Sequence, residues 1–236
     1  SVSLSGALSA LPSLPLGRAL DYVVNYPFGC LEQTVSGAFP LLYAGAWAKR
    51  LLPAARAVGD TEAAVAAAIR RVVSMQQEGG GFALWPFSLR VEDDASLYAV
   101  HFLVEARAAG FDVPADRLEA ALAWLRGRLD RAIPADADEG DWNREMQARA
   151  YMCHVLAIAG RPAEGWNARL REQADRLNFA ARAHAAAALL LAGEPRQALP
   201  LLESLALPAP RPRIPGRLLD SDVRDAALLL SAWLDV

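Results

Sequence analysis

Gln77-Glu78-Gly79-Gly80-Gly81-Phe82 decides how the fold is read. This stretch ends one run of periodic apolar residues and opens an aromatic loop carrying Phe82, Trp85 and Phe87. A second periodic run follows, with Asp93 or Asp94 ahead of Leu97. Glycine permits the positive φ of a helix end, and the aromatic side chains are expected to fill the space beneath the turn. A helix, a glycine-rich turn with an aromatic plug, and a second helix make the hairpin from which concentric helical toroids are built.

Outward from this hairpin, apolar residues recur at three- and four-residue steps. Val65, Ile69, Val72 and Val73 form one set, Leu97, Val100, Leu103 and Val104 a second, and Leu118, Leu122 and Leu125 a third. That spacing is the amphipathic-helix signature, and the dominance of alanine and leucine favours it. Pro53 with Gly59, Gly79 to Gly81, Gly110, Pro134, Gly160, Gly193 and the Pro208-to-Gly216 stretch punctuate the pattern. About ten helices of ordinary length result, with no strand pair and no sustained heptad. The expected fold is all-α, an α/α toroid of concentric helical hairpins. The segment Leu205 to Gly216, with four prolines, cannot be helical. It reads as a surface strap, because the single helix after it is too small to fold alone. Ser1 to Pro15 reads as an extended lead-in. Residues 1–236 are therefore expected to form one domain, and a start at Ser1 without a signal peptide reads as a piece excised from a larger multidomain protein.

Composition narrows the function. Of the 236 residues 54% are apolar and 22% charged, which excludes a disordered chain. The net charge of -3, with arginine and acids interspersed, offers no footprint for nucleic acid. Cys30 and Cys153 supply neither a disulfide framework nor a zinc spacing. The longest apolar run, Ala185 to Ala192, falls far short of the ~20 residues of a membrane span.

Chemistry concentrates in Tyr26-Pro27-Phe28-Gly29-Cys30-Leu31-Glu32-Gln33-Thr34. Pro27 and Gly29 stop a preceding helix and allow a sharp turn, so that a new helix opens near Cys30. A cysteine at a helix N-terminus has a stabilised, reactive thiolate. Cys30 and Gln33 are three apart and share a face of the first turn. A thiolate against a glutamine side-chain carbonyl can displace ammonia and leave an internal thioester. Spacing alone does not select that reading, since a small apolar cysteine is most often core.

The whole string resembles the thioester region of the bacterial α2-macroglobulins, relatives of eukaryotic α2-macroglobulin and of the complement thioester proteins. In that family Cys-Leu-Glu-Gln is the bacterial form of the motif. The resemblance continues through Gly-Gly-Phe-Ala-Leu-Trp ending at Trp85, through Ser96 to Leu103, and through Gly110 to Pro114. It covers nearly the whole chain and implies a thioester domain with the α/α-toroid fold. Carried over, Cys30 is the thiol partner and Gln33 the acyl partner; Leu31 and Glu32 complete the ring-forming turn, and Tyr26 covers the bond against water. An activated acyl group survives only where water is excluded.

The resemblance implies a protease trap. A protease cuts a bait region elsewhere, the molecule rearranges, and a lysine amine of the attacker adds to the Gln33 carbonyl. The step happens once, so the domain is an acylating device and not a turnover enzyme. It implies target proteases and neighbouring domains as partners, a periplasmic location, and a parent tethered to the inner membrane; no cofactor or metal is implied. Complement-type relatives add a histidine that takes over the acyl group. The corresponding region here, Ile133 to Gly140, has none, so direct attack by amines is expected. His101, His154 and His184 each sit on apolar or alanine-rich runs and read as core residues. Lys49 is the only lysine among 24 basic residues, which a codon bias towards arginine explains better than protection from self-acylation does.

Two other function classes compete. A toroid glycosidase would place two carboxylates across a cleft, drawn from Glu92, Asp93, Asp94, Asp138, Glu139 and Asp141. Such acids at helix starts more often serve as caps and dipole partners. A domain that keeps the motif without the bond, acting only in interaction, is the other. Cys153 with His154 lacks a suitably spaced aspartate for zinc.

Overall fold

A computed structural model describes residues 29–51, 61–206 and 221–234. The lead-in, Tyr26, Pro27, the Pro53–Gly59 break and most of the proline strap lie outside these residues. Nine α-helices are present among the described residues. They are α1 (Leu31–Leu51), α2 (Thr61–Ser74), α3 (Asp93–Ala108), α4 (Ala115–Leu129), α5 (Glu139–Ile158), α6 (Glu164–Glu172), α7 (Phe179–Leu191), α8 (Pro195–Glu203) and α9 (Asp222–Leu234). A 3₁₀ turn, Ala174–Arg176, links α6 to α7. Only isolated bridges, Gln76 to Phe82 and Ala83 to Val91, interrupt the helical pattern. The fold is all-α.

The periodic apolar residues are the ones that pack. Val65, Ile69, Val72, Leu97, Val100, Leu103, Val104, Leu122 and Leu125 are all buried. The odd-numbered helices form one continuous layer, in which α1 meets α3, α3 meets α5, α5 meets α7 and α7 meets α9. α4, α6 and α8 each pack on both of their odd-numbered neighbours and α2 packs on α1, the alternation that stacked hairpins produce. The α5–α7 pair is the most extensive. The small side chains of Ala181, Ala185, Ala186 and Ala188 on α7 are buried there and let the two helices approach closely.

Three predicted breakers close helices in the same way. Gly110, Gly160 and Gly193 have φ of 91°, 70° and 79°. In each case the next residue donates back five positions: Phe111 to Ala106, Arg161 to Leu156, and Glu194 to Leu189. These are Schellman closures. Pro40 and Pro200, which the breaker pattern omits, lie inside α1 and α8.

The glycine hairpin lies directly on α4. Gly80 has φ 90°, and a Cβ there would stand 2.1 Å from the Ala120 carbonyl oxygen, so no other residue fits. Phe82 is completely buried, and Ser96 Oγ holds it by accepting from its N–H at 2.8 Å and donating to its carbonyl at 3.1 Å. The expected aromatic plug is Phe82 alone. Trp85 is half-exposed and Phe87, at φ 69°, stands wholly in solvent. The bridge from Ala83 to Val91 turns the intervening loop outward.

Candidate functional site

Gly29 and Cys30 lead into α1 and are held from two sides. The Gly29 carbonyl accepts from Arg71 of α2, at 3.2 Å from Nε and 2.7 Å from Nη2. A Cβ on Gly29 would meet Thr34 Oγ1 at 2.9 Å, so a larger residue there would force the Thr34 side chain to shift. Leu31 is fully buried and donates its N–H to the Leu84 carbonyl at 2.8 Å. The loop after the glycine hairpin thus grips the first residue of α1. Cys30 is half-buried, Glu32 half-buried and Gln33 exposed.

Across this first turn the Gln33 side chain folds back, and its Oε1 accepts from the Cys30 N–H at 3.1 Å. Thr34 N–H donates to the Cys30 carbonyl at 2.9 Å. Cys30 therefore occupies the N-cap position and Gln33 the third helical position, the reciprocal half of a capping box. The local rule that places a glutamine there also folds its carboxamide back to the Cys30 backbone. The predicted pair, Cys30 and Gln33, is brought together; Leu31 anchors the turn, Glu32 faces an adjacent cleft, and Gly29 makes the entry. Tyr26 and Pro27 lie outside the described residues.

The adjacent cleft, about 770 Å³, is lined by Glu32, Leu84 and the starts of α3 and α5. Asp93 and Glu145 on its wall are tied to arginines. Arg128 Nε donates to Asp93 at 2.6 Å and its Nη groups grip Glu145 at 2.8 and 3.2 Å. Arg131 shares Asp93 and Arg149 shares Glu145, each at 3.0 Å. Asp138 caps α5 by accepting from Asp141 N–H at 2.7 Å, and Asp141 pairs with Arg144. Asp93, Asp138 and Asp141 are thus engaged in holding helices, which leaves them poor candidates for a glycosidase acid–base pair.

A second cavity, about 800 Å³, lies farther along the same helices. Residues late in α1, α3 and α5 line it, whereas residues early in the same helices line the first. The three helices therefore run in one direction, and Tyr98 borders both spaces. His154 and His184 are buried, in keeping with the core reading, and His101 joins them. His101, His154 and His184 meet, with ring centroids 6.1 Å apart for His101 and His154, and 5.3 Å for His154 and His184. Each comes from a different helix, and no local spacing announces the cluster.

The partners assign the protons. His101 Nε2 faces Glu105 Oε1 at 3.6 Å and so carries hydrogen, leaving Nδ1 to accept from Tyr151 O–H at 2.7 Å. His184 Nε2 faces the Arg224 guanidinium at 3.4 Å and must accept. His184 Nδ1 then donates to His154 Nδ1 at 3.0 Å, which places the His154 proton on Nε2. Bonding to His101 holds the Glu105 carboxyl below the usual range. Burial pushes His154 down to about 3 and His184 well below its ordinary value, aided by neighbouring positive groups. Burial likewise keeps Tyr151 protonated and pushes the Cys153 thiol up to about 12.

This predicts acid lability. A histidine whose folded pKa is depressed binds its proton in the unfolded chain first, so stability is intact above about pH 6.5 and falls as pH drops towards 3. Each buried histidine should withdraw about 1.4 kcal/mol per pH unit in that window. Urea titrations at pH 7.5 and pH 5 should show a lower midpoint at pH 5, and His154→Gln should flatten the dependence. Equal midpoints would contradict the neutral assignment.

Among the described residues no helix is long and apolar enough to cross a membrane, and no group of three or more His, Cys, Asp or Glu side chains could hold a metal ion.

No protein-family model matches the chain. It is 38% identical over 143 residues to the alpha-2-macroglobulin of Escherichia coli, covering 56% of this chain and 8% of that protein. It is 27% identical over 246 residues to that of Xylella fastidiosa, covering 98% of this chain and 14% of that protein. Among solved structures it resembles Salmonella alpha-2-macroglobulin reacted with methylamine, with a TM-score of 0.76, 30% identity, and coverage of 94% of this chain and 15% of the other. It also resembles Escherichia coli alpha-2-macroglobulin activated by porcine elastase, with a TM-score of 0.74, 30% identity, and coverage of 89% and 19%. The chain thus spans a small part of its relatives' length. A likeness that runs over nearly all of this chain, in both sequence and fold, makes it an all-α domain of the bacterial alpha-2-macroglobulin family.

Proposed function

We propose that this chain is the thioester domain of a bacterial protease inhibitor, built as a single α/α toroid, with Cys30 and Gln33 joined in an internal thioester. The observation that carries the reading is the Gln33 carboxamide folded back onto Cys30 across one helical turn. To form the bond, the Cys30 thiolate attacks the Gln33 carboxamide carbon; the carbon–nitrogen bond breaks and, with a proton taken up, ammonia leaves. In the trapping step a lysine amine attacks the same carbon, the carbon–sulfur bond breaks, and the amine's proton leaves with the Cys30 sulfur or to solvent. The products are an amide and a free thiol. Proximity of a bound protease supplies the effective concentration, and the acyl transfer occurs once per molecule.

Related proteins reacted with methylamine and activated by elastase support the chemistry and the class of target. Neighbouring domains of the longer polypeptide, with Tyr26, would complete the exclusion of water. With that reading goes the proposal that the parent resides in the periplasm, tethered to the inner membrane. Isotopically labelled methylamine tests the site. The label should be recovered as a substituted amide at Gln33, with one thiol released at Cys30. Absence of label from Gln33 would refute the reading.

A further inference from the structure

The histidine cavity offers more than a neutral core. Its walls are largely apolar or aromatic, with Phe39 and Tyr43 from α1, Tyr98 from α3 and Leu228 from α9. Its size is that of a small-molecule site. One cationic donor borders it. Arg224 is half-buried and donates one weak bond, to His184 Nε2 at 3.4 Å; among the described residues no carboxylate pairs with it. The one carboxylate in the cavity wall, Glu105, is already engaged by His101 and Tyr43. Arg224 is thus the one permanent cation among the described residues that line this apolar chamber.

We propose that this cavity binds a small monocarboxylate with an apolar or aromatic body, its carboxylate held by Arg224 and its body against the rings of Phe39 and Tyr98. The charge balance selects the ligand: an anion satisfies Arg224, whereas an amine would face a guanidinium. The site is independent of Cys30 and Gln33, and stands or falls apart from the thioester.

Phenylacetate, 2-phenylethanol and 2-phenylethylamine share a body and differ in charge. They are to be compared by thermal unfolding and calorimetric titration at pH 7.5, in the Cys30→Ala protein so that no amine is consumed by acyl transfer. Phenylacetate should raise the melting temperature and bind at least about 10-fold more tightly than the alcohol. The amine should bind most weakly. Arg224→Gln should remove that 10-fold advantage while leaving alcohol binding unchanged, and Arg224→Lys should restore part of it. Absence of phenylacetate binding, equal affinity for acid and alcohol, or an Arg224→Gln protein that keeps the preference would each overturn the proposal. Should Arg224→Gln fail to fold, the three-ligand comparison on the parent protein decides alone.

Discussion

Arg149→Ala should lower the unfolding free energy by about 3–5 kcal/mol, a large share of the ~5–15 kcal/mol that holds a typical domain together. Arg149 is only 1% exposed. Its guanidinium donates to the Leu129 carbonyl at 3.3 Å, to the Arg131 carbonyl at 2.6 Å and to Glu145 at 3.0 Å. The two carbonyls lie at and just beyond the C-terminal end of α4, where the helix dipole favours a cation. Removing the side chain would orphan both carbonyls, leave Glu145 to Arg128 alone, and open a void between α4 and α5. Burial holds the Arg149 pKa below its ordinary value, yet the group stays charged at any working pH. Arg149→Lys should rescue little, because one ammonium cannot serve three directions that a planar fork serves at once. Urea unfolding checks this; a loss under about 1 kcal/mol for the alanine variant would show that the clamp contributes little.

Cys30→Ala should abolish covalent capture of a protease, leaving only the background seen with inactivated protease on a denaturing gel. Without the sulfur no acyl group is activated, and a glutamine carboxamide does not acylate an amine at neutral pH. Gln33→Glu should behave alike, because a carboxylate is not attacked by the thiolate. Glu32→Gln, which neither donates nor accepts the acyl group, should retain capture. The fold should be nearly unchanged in the cysteine variant, since Leu31 N–H and the Gly29 carbonyl make the anchoring bonds. Persistent adducts in both Cys30→Ala and Gln33→Glu would remove these residues from the chemistry.

What the sequence disclosed was local. Apolar residues three and four apart marked α2, α3 and α4, and Gly110, Gly160 and Gly193 marked helix ends, because a helix repeats every few residues and ends where φ turns positive. Cys30 and Gln33 were legible for the same reason: one turn brings them together. The long-range assemblies were not. His101, His154 and His184 lie on three helices, each in an apolar run that looks like ordinary core, and only the packing of α3, α5 and α7 joins them. Arg149 gave no sign of burial, since arginine is nearly always exposed unless paired and its partners include two backbone carbonyls with no side-chain signature. Phe87 resembled a plug because its neighbour Phe82 is one; the outward course of the loop depends on the Ala83–Val91 bridge.

The central claim is that the side chains of Cys30 and Gln33 are covalently joined in the intact protein. Intact mass and thiol titration of the whole polypeptide, freshly isolated and untreated, test it most directly. The account predicts a mass below that of the sequence by one ammonia, with Cys30 inert to iodoacetamide until an amine is added. A mass equal to that of the sequence, with Cys30 alkylated at once and the Gln33 carboxamide intact, would contradict it.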